Sequence, residues 1–218
     1  MSEQQKRPRG CLFYGCLTGI VCLVAILVAF LLGLHQLKKM LNQFTETSPV
    51  TLPTTQMPRV QIDQLQDRVN AFRDAVRAGQ PAEPLALTGD ELNALIATNP
   101  ALRPLQGKLY VAIEDRVIKA QVSLPLDQWG SRVFRGRYLN GTGNLVVSLQ
   151  NGTLRVTPEH IVVKGKPLPR VYMEKIRTVN LAAAFNSERR TSAALNRLQD
   201  IQVKEGRLIL VPKPASKP

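Results

Sequence analysis

The segment Leu109–Leu124 reads LYVAIEDRVIKAQVSL. Its period is two: Leu109, Val111 and Ile113 alternate with Lys108, Tyr110 and Ala112, and Ile118, Ala120, Val122 and Leu124 alternate with Lys119, Gln121 and Ser123. Successive side chains of a strand point to opposite faces, so this pattern predicts two strands, each with one apolar face, joined at Asp115-Arg116. Downstream, Leu145, Val147 and Leu149 repeat the alternation, Asn151-Gly152 supplies a two-residue hairpin turn, and Leu154, Val156, Ile161 and Val163 continue it. Four or five antiparallel strands are expected.

Upstream the period changes. Ile62, Leu65, Val69, Phe72 and Val76 recur at steps of three and four within Val60–Ala78, with charged and amide side chains between them, and Gly79-Gln80-Pro81 ends the run. That is an amphipathic helix with a single apolar stripe. Thr88 with Glu91 three residues on forms a capping box ahead of Leu92, Leu95 and Ile96, predicting a short helix that stops at Asn99-Pro100. Further helices are expected over Arg170–Thr178 and Glu188–Leu198. A closing hairpin follows, Ile201–Lys204 and Arg207–Val211 around Glu205-Gly206. The fold class is therefore α+β, a curved antiparallel sheet packed on amphipathic helices.

The N-terminal end obeys a different rule. From Leu12 to Leu34, 23 residues contain no Asp, Glu, Lys or Arg, and 14 are Leu, Ile, Val or Phe. At about 1.5 Å per helical residue they reach roughly 35 Å, enough for a hydrocarbon core of about 30 Å. The apolar run is longer than a cleaved leader's core, and no small-x-small site follows it before Lys38, so an uncleaved single-pass signal anchor is expected. Lys6, Arg7 and Arg9 place the N-terminus in the cytoplasm. The chain then divides into a basic tail (1–11), a transmembrane helix (12–34), a Thr- and Pro-bearing stalk (35–59), an extracytoplasmic α+β domain (60–211) and a frayed tail (212–218). Cys11, Cys16 and Cys22 are the only cysteines, so the domain has no disulfide, cysteine nucleophile or thiolate metal site.

Chemistry is scarce along the rest. Walker and Rossmann loops, H-E-x-x-H and G-x-S-x-G are all absent, and Asn140-Gly141-Thr142-Gly143 reads as turn chemistry. His160 beside Glu159 reads as a surface strand pair, and neither a catalytic residue, a metal nor a cofactor is expected. Charge is the positive signal. With 29 Lys and Arg against 16 Asp and Glu the chain carries +13, of which +11 remains once Lys6, Arg7, Arg9 and Glu3 are set aside. Arg132, Arg135 and Arg137 form one group, Lys164, Lys166, Arg170, Lys175 and Arg177 a second, and Arg189 with Arg190 a third. Beside anionic lipid headgroups or a cell-wall polymer such a field is attractive. Nucleic acid is not expected, since an outward-facing domain rarely meets it and no aromatic stacking motif accompanies the cations.

Leu87-Thr88-x-x-Glu91-Leu92-Asn93-Ala94-Leu95 before the first strand, Val122-Ser-Leu-Pro-Leu126, Gly165-Lys-Pro-Leu-Pro169 leading into a helix, and the closing Val203-Lys-Glu-Gly-Arg-Leu208 follow one another in an order that resembles YpmS-like proteins and other small, N-terminally anchored bacterial envelope proteins. The resemblance spans roughly Leu85–Val211. It implies an extracytoplasmic α+β domain whose curved sheet wraps a helix, similar in outline to half of a tubular lipid-binding module. The present chain departs from it in being much more basic, and no pocket residue carries over. A non-enzymatic envelope protein is therefore expected, with an apolar groove lined by Ile62, Leu65, Val69, Phe72 and Val76 for lipid or a partner, and the first two basic groups engaging anionic headgroups. The other class is an assembly module that recruits a membrane complex through its span and stalk.

Overall fold

Stretches of period two become strands and stretches of period 3.6 become helices, and the result is α+β with antiparallel sheets throughout. The computed structural model describes residues 26–29, 31–33, 35, 36, 39, 41–127 and 134–214. It divides into two units, Met1–Phe44 and Thr45–Pro218. In the first, residues 26–29, 31–33 and 41–44 are helical. Among the described residues no helix is long and apolar enough to cross a membrane. The expected span over 12–34 and all three cysteines fall largely or wholly outside those residues.

The second unit begins with α1 (Arg59–Ala78), β1 (Leu85–Thr88), α2 (Gly89–Thr98), a 3-10 turn (Pro100–Leu105), β2 (Leu109–Glu114) and β3 (Val117–Pro125). It continues with β4 (Tyr138–Gln150), β5 (Thr153–Val163), β6 (Lys166–Pro167) and α3 (Arg170–Arg177), then α4 (Ala183–Ser187), α5 (Arg189–Leu195), β7 (Leu198–Lys204) and β8 (Arg207–Pro212). The single sheet expected from the alternation is two. Five strands run in the order β2-β3-β4-β5-β6, and three in the order β1-β8-β7. Strand β1 was not foreseen, because four residues are too few to display a period and its partner lies at the far end of the chain, with Leu85 opposite Leu210 and Leu87 opposite Leu208. The tail begins later than expected: Pro212 closes β8 and the Lys213 N–H bonds the Arg197 carbonyl.

Local chemistry accounts for the element boundaries. The Thr88 hydroxyl accepts from the Glu91 N–H (3.2 Å) and the Glu91 carboxylate accepts from the Thr88 N–H (2.8 Å), closing the capping box of α2. The other oxygen of Glu91 takes the Arg68 guanidinium at 2.6 Å and ties α2 to α1. Asn151-Gly152, Lys164-Gly165 and Glu205-Gly206 all have positive φ at both positions, the geometry whose twist suits a two-residue hairpin.

Apolar packing joins the sheets. Leu65 of α1, Leu85 and Leu87 of β1 and Ala94 of α2 form one buried cluster, flanked by Met57, Val69, Phe72, Leu92, Leu95 and Leu210. Leu195, Leu198 and Ile201 form a second, flanked by Phe72, Val147, Leu149, Leu154, Leu208 and Leu210. Phe72 and Leu210 belong to both, so they stitch the three-stranded sheet to α1 on one side and to the β4–β5 hairpin on the other.

Two stretches depart from their sequence reading. Asn140–Gly143, expected to turn, is extended within β4. Its glycines serve proximity: a Cβ on Gly143 would lie 2.8 Å from the His160 carbonyl oxygen of β5, next to the irregularity in register at Asn144/Leu145. Gly143→Ala is expected to cost about 1–3 kcal/mol through forced backbone shift, read as a lower urea midpoint with an unchanged slope. The second departure concerns the stalk. Residues 45–50 are not spacer but lie on the large sheet. Glu46 and Tyr138 exchange backbone bonds (2.9 and 2.7 Å), and the Arg137 guanidinium donates to the Thr45 hydroxyl (2.5 Å). The Val50 N–H donates to the Ser123 hydroxyl (3.2 Å), and the Asn140 amide donates to the Ser48 carbonyl (2.9 Å) and to Glu46. Thr45, Ser123 and Asn140 are all buried. Polar docking of this kind leaves no hydrophobic period, which is why composition alone reads as a free stalk.

Candidate functional site

The apolar stripe of α1 is core, not groove. Leu65 and Val76 are only 3% and 7% exposed, Val69 and Phe72 are packed against the first cluster, and Ile62 is half-buried. A single apolar stripe on a helix next to a sheet gains more by meeting that sheet than by lining a gap. Smaller depressions touch Val69 and Val76, and a shallow one of about 450 Å³ lies against another flank of α1, lined by Ala71, Phe72, Ala75, Pro84 and Ala86 with Arg68 and Arg207. Of the five groove residues expected, Phe72 reaches the largest of these, while no one depression gathers more than one of the five.

The basic groups separate according to topology. Arg132 lies outside the described residues. Arg135 is exposed in the turn that enters β4, whereas Arg137 is turned to the 45–50 segment through Thr45 and holds the chain together there. The second group forms one surface. Lys164 sits in the β5–β6 turn, Lys166 in β6, Arg170 in the first turn of α3, and Lys175 and Arg177 in its last turn, where cations oppose the negative end of the helix dipole. Lys164, Lys166, Arg170, Lys175 and Arg177 are all exposed. Lys166, Arg170, Lys175 and Arg177 pair with no carboxylate among the described residues, and the carboxylate nearest in sequence, Glu174, shares the helix with them.

This surface is pinned along the outer edge of β5. The Leu168 N–H bonds the Ile161 carbonyl (2.8 Å), the Arg177 guanidinium bonds the Glu159 carbonyl (2.7 Å), and the Leu181 N–H bonds the Val156 carbonyl (2.8 Å), so the chain descends beside β5 step by step. Met173 is buried beneath α3 and Ile176 half-buried. Two asparagines complete the edge. Asn180 accepts from the Val156 N–H (3.0 Å) and donates to the Leu154 carbonyl (2.8 Å), while Asn186 accepts from the Leu154 N–H (3.0 Å) and donates to the same carbonyl (2.8 Å). Side-chain amides thus take the place of a neighbouring strand and close a sheet edge that would otherwise seek one. Neither asparagine stood out in the sequence, since turn residues between helices need no further explanation.

No cluster of three His, Cys, Asp or Glu able to hold a metal occurs among the described residues, and none of their carboxylates is buried. His160 and Glu159 are exposed, as a surface strand pair should be. His160 borders a shallow trough of about 400 Å³ across β2–β5, where Lys119, Gln121, Thr142 and Asn144 alternate with Tyr110, Ala112 and Ala120. Its lysine is engaged with Glu114 at 2.5 Å. Compared with protein-family models, with curated proteins and with solved structures, the chain matches none.

Proposed function

We propose that the protein is a non-enzymatic, single-pass envelope protein, held by residues 12–34 with its N-terminus in the cytoplasm, whose extracytoplasmic α+β domain binds an anionic surface. The observation that carries the reading is the exposed basic edge made by Lys164, Lys166, Arg170, Lys175 and Arg177. Near an anionic membrane each cation contributes about 1 kcal/mol, so five on one edge supply several, screened beyond roughly 10 Å at 0.1 M salt. The anchor is supported by the uncharged run itself and by the helical residues Ile26, Leu27, Val28, Leu31 and Leu32, which are all exposed large apolar side chains. Water is a poor environment for such a row; hydrocarbon is a good one.

Two measurements test this. A phosphatase fused after Pro218 should be active and a fluorescent protein that matures only in the cytoplasm should be dark; the reverse pattern overturns the topology. Residues Thr45–Pro218 contain both apolar clusters and every strand among the described residues, so they can be made alone. That fragment should sediment with phosphatidylglycerol vesicles and not with phosphatidylcholine vesicles. Lys166→Gln, Arg170→Gln, Lys175→Gln and Arg177→Gln together should weaken binding by about 10²–10³-fold at low salt, at about 1 kcal/mol per charge. Equal binding to both vesicle types removes the electrostatic reading. Cross-linking that recovers one stoichiometric protein, with no vesicle binding, replaces it by the assembly role.

A further inference from the structure

Among the described residues of Thr45–Pro218, seven large apolar side chains stand exposed: Val50, Val60, Val146, Val171, Tyr172, Val179 and Leu181. Four of the seven fall within the eleven residues 171–181, the stretch that also carries Lys175 and Arg177. Val171 is 66% exposed, Tyr172 39%, and Val179 and Leu181 50% each. Scattered single apolar residues are ordinary on a surface, but a run of them between cations is not scatter.

The fold explains why they point outward. Met173 is buried against the domain, and at 100° per residue this puts Val171 and Lys175 on the opposite side of α3, one turn apart. Glu174 stands beside them and is the acidic residue of that helix. Beyond α3, Asn180 is committed to β5 through both ends of its amide, and the Leu181 N–H to Val156, so the side chains of Val179 and Leu181 are held out on a fixed backbone. Burial could have been reached by a small rotation of a free loop; this loop is fastened in the exposed position.

We infer that Val171, Tyr172, Val179 and Leu181 enter the interfacial layer of an anionic phospholipid bilayer while Lys166, Arg170, Lys175 and Arg177 meet its headgroups. Cations alone fit a phosphate-bearing polymer as well as a membrane. The apolar side chains decide between them, because a polymer in water offers no apolar phase, whereas the bilayer interface takes aliphatic tips, a tyrosine ring and lysine or arginine stems together. The inference rests on the anionic-surface reading given above and adds the occupant and the mode of contact to it.

The test uses the full chain reconstituted into vesicles containing lipids brominated near the top of their acyl chains, which quench tryptophan by contact. Tyr172→Trp is the probe, Val179→Trp the second should the first misfold, and the native chain with Trp129 gives the baseline. Quenching of the new tryptophan is expected in phosphatidylglycerol vesicles, at least twice that in phosphatidylcholine. The paired change Val171→Ser and Leu181→Ser should lower that quenching by half or more, and in the Thr45–Pro218 fragment should weaken vesicle binding about tenfold while leaving its salt dependence in place. Absence of quenching from both probes, with salt-sensitive vesicle binding retained, overturns insertion and leaves the electrostatic reading intact. Binding of the fragment to a soluble polyphosphate as tightly as to anionic vesicles, unaltered by the serine pair, assigns the surface to a polymer and overturns the inference. Loss of all anionic binding overturns both readings together.

Discussion

Phe72→Ala is expected to destabilise the Thr45–Pro218 unit by about 3–5 kcal/mol, the range for deleting a large aromatic side chain from a packed site. Partial exposure of this ring would ordinarily lower the figure. Its position raises it, because Phe72 flanks both apolar clusters and the cavity would open between α1 and the two sheets at once. For a unit of this size each kcal/mol moves Tm by roughly 2–4 °C, so a fall of about 10 °C is expected in calorimetry. Phe72→Leu should recover much of the loss, since the clusters need volume there rather than aromatic chemistry. A fall of only a degree or two for the alanine variant would mean that the clusters are independent of one another.

Asn93→Ala is expected to be nearly as costly for a different reason. The Asn93 amide donates to the Val111 carbonyl (2.7 Å) and accepts from the Val111 N–H (2.8 Å), and the side chain is buried. Val111 lies in β2, the edge strand of the large sheet, so this one side chain stands in for a missing strand. Removing it orphans a buried donor and a buried acceptor, at roughly 1–3 kcal/mol each. Asn93→Asp does not rescue, since a carboxylate has no proton for the Val111 carbonyl. Hydrogen exchange at the Val111 amide should accelerate in the alanine variant, whereas the aspartate variant still offers that N–H an acceptor. The alanine variant should also self-associate at high concentration, because an uncovered edge is a template for another strand. Unchanged exchange at Val111 would show that the edge is protected by something other than Asn93.

The longer strands, the three longest helices and the capping box were legible in the sequence, because each leaves a local signature: period two, period 3.6, or Thr88 three residues before Glu91. What could not be read was which strands share a sheet. Alternation marks a face without naming a partner, and Leu85–Thr88, whose whole identity comes from pairing with Arg207–Leu210, left no trace. The candidate site was legible in half. The cation group Lys164–Arg177 is a matter of composition and stands out there, but the exposure of Val179 and Leu181 depends on Asn180 fastening the chain to β5, a contact no periodicity records. The stripe of α1 shows the converse: it looks the same in sequence whether it faces a cavity or a sheet, and here Leu65, Val69 and Phe72 pack on the cluster that holds β1.

The clasp formed by Thr45, Glu46 and Ser48 on Tyr138, Arg137 and Asn140 has a mechanical meaning. Tension arriving along the polypeptide from its N-terminal side reaches the middle of a five-stranded sheet before it reaches α1. Stretching between Phe44 and Pro218 should therefore yield first at that seam, releasing the slack of residues 45–58 as a small early extension, and only at higher force the main rupture. Under such a load α1 and both cores would stay out of the strain until the clasp had given.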